Sequence, residues 1–284
     1  MERSLNVIDL LLDSAIDSIK LVPFLFLTYL LMEFLEHKAG ARSRKVMART
    51  GKTGPVIGAV FGMFPQCGFS AAASGLYAGR VITVGTLMAV FLSTSDEMLP
   101  IMISKQVSPA VIGKILICKV VVAIIAGFAV DLGMRALGKT QGTEHIHDLC
   151  EKEHCECENH WVKSSIRHTW QVFVFIFIAS LVLNVLIAII GKQTIAAFVS
   201  RNEAISIVLV GLVGLIPNCA ASVVITELLL TGMIPFGAAM TGLLVGSGVG
   251  ILVLFRMNRH VKENIAIVGI LYAVSVIAGF ILNV

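Results

Sequence analysis

The chain has 284 residues, 57% of them hydrophobic and 14% charged, with mean hydropathy +0.90 and a net charge of +4. A soluble domain carries about 25% charged residues, so this balance excludes an ordinary water-soluble fold. The modest positive charge gives no reason to expect a nucleic-acid partner.

Uncharged stretches run over 54–79, 169–191, 204–226, 228–255 and 264–284. Each is long enough to cross a hydrocarbon core that takes roughly 20 helical residues. Backbone groups inside lipid must bond within their own segment, so the sequence predicts an all-α, polytopic membrane protein.

At the amino terminus, Asp9, Asp13 and Asp17 stand where a secretory signal has an unbroken apolar core, so no cleaved targeting segment is expected. Their spacing suits the wet face of an interfacial helix. Glu33 and Glu36 mark the solvated end of a first helix, and Lys38, Arg42, Arg44, Lys45, Arg49 and Lys52 crowd the connection after it. A second basic connection holds Arg135, Lys139, Lys152, Lys163 and Arg167, and a third Arg256, Arg259 and Lys262; the alternate ones carry only Lys105 with Lys114, and Lys192 with Arg201. The positive-inside bias puts the three rich connections in the cytoplasm and both termini outside. The expected location is a prokaryotic plasma membrane.

The first basic loop leads into pieces too short to span alone, Pro55 to Phe64 and Gly68 to Gly79, divided by Pro65-Gln66-Cys67. Proline removes a helical donor and clashes with the preceding turn, so this tripeptide predicts a non-helical tip between two half-helices. Such backbone survives at membrane depth only against protein or water. Cys67, Ser70 and Ser74 follow at spacings that share one helical face. They either line a site or serve as a small-residue packing surface.

A second interruption, Ser93-Thr94-Ser95-Asp96-Glu97 with Pro100, brings Ser95, Asp96 and Glu97 into a span, where charges are costly and usually functional. Asp96 and Glu97 read as cation ligands or proton carriers, or one of them as interfacial. Lys119, between Cys118 and Val120, reads either as snorkelling to a headgroup or as a coupling salt bridge to Asp96, Glu97 or Glu227.

The connection between the halves holds His145, His147, Cys150, His154, Cys155, Cys157 and His160 in a stretch with no apolar period. Imidazole and thiolate donors of this kind suit zinc or a similar soft metal, with no tightly bound cofactor otherwise expected.

The first half's break and many of its small-residue positions return 152 residues later: Pro65-Gln66-Cys67 as Pro217-Asn218-Cys219, Gly62 as Gly214, Ser70 as Ser222, Gly85 as Gly237, Ser95 as Ser247 and Ile125–Phe128 as Ile277–Phe280, whereas only the first half carries the carboxylates Asp96 and Glu97. Asn218, Cys219, Ser222 and Thr226 thereby become candidate ligands. Glu227 stands where the first half has Gly75. Eight residues of helix, about 12 Å, separate it from Cys219, which favours a proton or exit-path role over shared chelation.

The chain divides into a first transmembrane repeat (1–137), a cytoplasmic His- and Cys-rich loop (138–167) and a second repeat (168–284). An odd number of crossings per half makes the two repeats inverted, each of about five helical segments with broken or re-entrant helices.

The opening Leu21–Leu30 with Glu33 and Glu36-His37, then Pro65-Gln66-Cys67-Gly68-Phe69-Ser70, Ser93–Glu97, the His- and Cys-rich middle and Pro217-Asn218-Cys219 resemble the bacterial and archaeal ten-helix heavy-metal exporter family. Its members are labelled arsenic efflux proteins or manganese transporters. The resemblance implies membrane transport of a small inorganic ion.

The leading expectation is a non-enzymatic, secondary-active exporter of a divalent or heavy metal, such as manganese, zinc or arsenite, coupled to protons. Cys67 and Cys219 favour soft ions, whereas Gln66, Asn218, Asp96 and Glu97 suit manganese. No nucleotide-binding Gly-x4-Gly-Lys-Ser/Thr pattern occurs. Alternatives are a carrier of a small sulfur or arsenic oxyanion and an intramembrane Cys-dependent enzyme. A homodimer is left open.

Overall fold

The structure, a computed structural model, describes residues 53–64, 67–95, 97–136 and 203–283, with scattered helical positions between 16 and 27 and between 166 and 185. In the first half these form α1 (Thr53–Gly62), α2 (Cys67–Ala78), α3 (Val84–Ser93), α4 (Met98–Ser104) and α5 (Pro109–Ala136). In the second half they form α6 (Glu203–Gly214), α7 (Cys219–Leu230), α8 (Phe236–Val245), α9 (Gly250–Met257) and α10 (Val261–Leu282).

The duplication is structural. Adding 152 to the bounds of α2 and α3 gives the bounds of α7 and α8, and α4 with α9, and α5 with α10, start at matching positions. Matching turns follow. Arg80 and Gly232 both adopt positive φ, +57° and +70°, and after each the chain bonds back to its helix, Val81 N–H to Leu76 O at 2.8 Å and Met233 N–H to Leu228 O at 3.0 Å. This is the left-handed helix ending that glycine adopts without strain.

Two stretches long enough to cross by length do not cross as single helices. Pro217 interrupts the backbone ladder, Asn218 is extended (φ −145°, ψ 144°), and its side-chain oxygen accepts the Ala220 N–H at 3.1 Å, so a new helix starts there. The new helix turns back.

α7 runs against α8, with Ile225 beside Gly242 and Ser222 beside Gly246. In the first half α1 runs along α3 in the same direction, Gly54 against Thr86, Gly58 against Val90 and Gly62 against Ser93, while α2 runs opposite to α3. α1 and α2 are therefore the two limbs of a hairpin. A limb of 12 residues reaches about 18 Å, short of a hydrocarbon core of about 30 Å.

Among the described residues, four helices are long and apolar enough to cross: Val84–Ser104 (α3 with α4), Pro109–Ala136, Phe236–Met257 (α8 with α9) and Val261–Leu282. Ile117, Val121, Ile125 and Leu132 on α5 form an exposed apolar stripe, Leu132 70% exposed. Such a stripe is costly in water and suits lipid.

Among the described residues the halves interlock through two large apolar cores, in addition to a smaller cluster of Ala71, Ile176, Val249 and Val253. One joins α3 up to Leu92, with Tyr77 and Ala126, to Leu244, Ile251, Leu254 and Leu271 of the second half. The other joins Ile207, Val224, Ile225 and α8 up to Leu243 to Met98, Met102 and Ile115 of the first half. Each broken helix thus leaves one core and enters the other at its break.

Close approach is built with small residues in both halves. α5 crosses α3 where Gly127 meets Gly85, and α10 crosses α8 where Gly279 meets Gly237. Elsewhere the halves exchange large for small: Gly58 packs on Val90, whereas at the equivalent positions Val210 packs on Gly242. The pair conserves volume, as close packing requires.

Asp131, buried near the end of α5, accepts the Gly85 N–H at 2.8 Å and the Thr83 hydroxyl at 2.8 Å, capping α3. Asn283 accepts the Gly237 N–H at the same place in the second half, at 3.3 Å. Asp131→Asn should therefore change thermal stability little, because the amide oxygen keeps the cap. Asp131→Ala should cost about 1–2 kcal/mol, read as a lower midpoint of detergent-solubilised protein.

Candidate functional site

The boundary between the two cores is polar. On α3 and α4 it falls at Thr94 and Ser95, both 2% exposed; on α8 and α9 it falls at Gly246, Ser247 and Gly248, the last at φ +55°. On α5 it falls at Lys119, between Ile115 of one core and Ala123 of the other.

Lys119 is 1% exposed. Its ammonium donates to the Thr94 carbonyl and, at 2.6 Å, to the Leu243 carbonyl. The snorkelling expectation for Lys119 is therefore corrected: the side chain points into the protein, where the Thr94 and Leu243 carbonyls at two helix ends offer it acceptors that lipid does not.

The described members of the polar trios face inward. Ser70, Ser74 and Thr226 are fully buried and Ser222 and Asn218 nearly so. Ser74 Oγ donates to the Gly250 carbonyl of the other half at 2.7 Å, and Thr226 Oγ1 to the Ser222 carbonyl at 2.7 Å. Cys219 is buried and not in a disulfide. Ser95 Oγ donates to the Ser93 carbonyl at 3.2 Å, whereas its counterpart Ser247 Oγ is buried with no hydrogen-bond partner. Ser247 belongs among the candidate ligands, and its alignment with Ser95 was the sequence signal for it.

Glu97 is half-buried at the start of α4, and Glu227 is exposed near the end of α7. Gln66, Asp96, the Cys67 side chain and the loop residues His145, His147, Cys150, His154, Cys155, Cys157 and His160 lie outside the described residues. Among the described residues, no three of His, Cys, Asp or Glu gather into a metal cluster.

A second polar contact joins the halves away from the breaks. Arg80 binds Glu263 through two bonds, 2.7 and 3.0 Å, and Tyr77 also donates to Glu263. The left-handed backbone of Arg80 costs about 1–2 kcal/mol for a residue with a side chain, which this two-pronged ion pair helps to offset. The second half has Leu229 and Gly232 at the places of Tyr77 and Arg80. This contact escaped the sequence reading, since nothing local links residues 80 and 263.

An all-helical fold among the described residues, with four apolar span candidates, defines a multi-pass membrane protein. Residues 6–193 match the family model described as "Putative, 10TM heavy-metal exporter", and the chain belongs to that family. No curated protein and no solved structure matches the chain. The family sets the class, heavy-metal efflux across a membrane.

Proposed function

We propose that the protein is a secondary-active exporter of a divalent or heavy-metal ion, and that the boundary between its two cores is the ion's path. The observation that carries this reading is the convergence of both helix breaks and buried Lys119 at one level. Gln66, Cys67, Ser70, Ser95, Asp96, Glu97, Asn218, Cys219, Ser222 and Thr226 supply the ligands, with Ser247 added. Lys119 and Glu227 serve coupling and exit. The cytoplasmic loop collects metal through His145, His147, Cys150, His154, Cys155, Cys157 and His160.

The two halves are inverted across the bilayer. With the basic connections in the cytoplasm, the hairpin α1–α2 enters from the cytoplasmic side and α6–α7 from outside, their tips meeting near the midplane. The opposed directions of the helices agree: α2 runs along α9, with Ser74 on Gly250 at its start and Arg80 on Glu263, in the first turn of α10 just past its end, and opposite to α3, so α3 and α9 are antiparallel. Rocking of one half against the other then opens the site to each side in turn, and proton exchange is the simplest coupling.

The rival cargo, a small sulfur or arsenic oxyanion, draws on the amino end of α7, where backbone N–H groups and Asn218 face the same level. An intramembrane Cys-dependent enzyme would use Cys67 or Cys219. Proteoliposome flux of manganese, zinc, iron, cadmium and arsenite, with and without a proton gradient, separates them. The export reading expects gradient-dependent flux of at least one metal cation. Flux of an oxyanion alone supports the rival, and thiol-sensitive turnover without ion flux supports the enzyme.

A further inference from the structure

We propose that the carboxyl ends of α3 and α8 together form a binding site for a monovalent cation, and that in this chain the Lys119 ammonium fills it. The two helices come from different halves and end at the same level. The last four carbonyls of any helix lack partners within it. Here the acceptors for Lys119 are the carbonyl of Thr94, which caps α3, and that of Leu243, in the last turn of α8.

Helix carboxyl ends carry partial negative charge and favour cations. The two carbonyls already hold one ammonium. Carbonyl oxygens at such ends are also the ligands that strip and hold alkali cations in membrane pores. The Lys119 side chain reaches the place from α5 along a fully buried route, so removing it leaves room for an ion and its water. The site is a property of the helix ends and stands whichever ion the protein carries.

The test uses full-length purified protein in detergent, with choline chloride replaced stepwise by sodium, potassium or, in a separate arm, magnesium chloride at constant ionic strength. Lys119→Ala should show a saturable rise in unfolding midpoint with sodium or potassium, roughly 5 °C near saturation. Wild type, already filled, should not respond, nor should Lys119→Met, which fills the space without a charge. Should Lys119→Ala be unstable in choline, its recovery as a monodisperse protein in sodium or potassium is the same expected result.

Three outcomes would overturn the proposal: an unchanged midpoint of Lys119→Ala in every alkali salt, an equal response from wild type, or a response to magnesium alone. Failure to recover Lys119→Ala in any salt also counts against it. Because the readout is stability, it is independent of whether metal flux is found.

Discussion

Gly127→Val should abolish recovery of folded protein or lower its unfolding midpoint by roughly 10 °C, while Gly113→Ala and Gly133→Ala on the same helix leave it unchanged or slightly higher. A Cβ at Gly127 would sit 2.7 Å from the Gly85 carbonyl oxygen, 2.8 Å from Pro55 and 3.1 Å from Ala89. The first of these is backbone and all belong to packed helices, so nothing nearby can swing away. Overpacking against backbone that cannot move costs about 3 kcal/mol, the upper end of its usual range, against a gain of about 1 kcal/mol when glycine leaves an unconstrained helical position. Gly113 and Gly133 have nothing within 4 Å and show that gain alone. Thermal unfolding in detergent checks all three, and an unaffected Gly127→Val would contradict the crossing of α5 over α3.

The second large effect concerns flux. Asp96→Asn combined with Glu97→Gln should reduce metal-cation transport at least tenfold in proteoliposomes while leaving the fold intact. A carboxylate retained within a span costs about 3 kcal/mol on insertion scales, so removing two should not destabilise the membrane-embedded protein. Their loss removes the negative charge that compensates a divalent ion. An oxyanion carrier would respond in the opposite direction, keeping or gaining flux. Cation flux at wild-type rates in the double variant sinks the assignment of these residues as ligands.

Much of the architecture is legible in the chain because its signals are local or periodic. Proline and glycine columns at a spacing of 152 residues mark the repeat, and the helix bounds of α2 and α7, or α3 and α8, fall where those columns put them. Pro217 likewise marks a tip. Whether a tip joins two limbs of a hairpin or two parts of a crossing helix is not local, since it depends on which neighbour each limb meets. Small-residue contacts such as Gly58 on Val90 decide it.

The site was legible in part for the same reason. Lys119 stands out as a charge inside a span, but its acceptors are backbone carbonyls, which leave no trace in residue type. Asp131 was hidden by its place near a basic helix end. Its role could have been found by extending the repeat to Asn283, which pairs an acid with its amide at equivalent positions. Tyr77, Arg80 and Glu263 carry no such pairing, because the second half abandons the contact.

The proposed ion path needs two halves that face opposite sides of one membrane around a shared polar level. The direct measurement places single cysteines at Val81 and Met233, equivalent turn positions after α2 and α7, in a chain whose six native cysteines are replaced by serine. A membrane-impermeant thiol reagent is then applied to intact cells and to inside-out vesicles. Met233→Cys should react in cells, and Val81→Cys only in the inverted vesicles. Reaction of both from the same side would contradict the inverted arrangement and the shared ion path built on it.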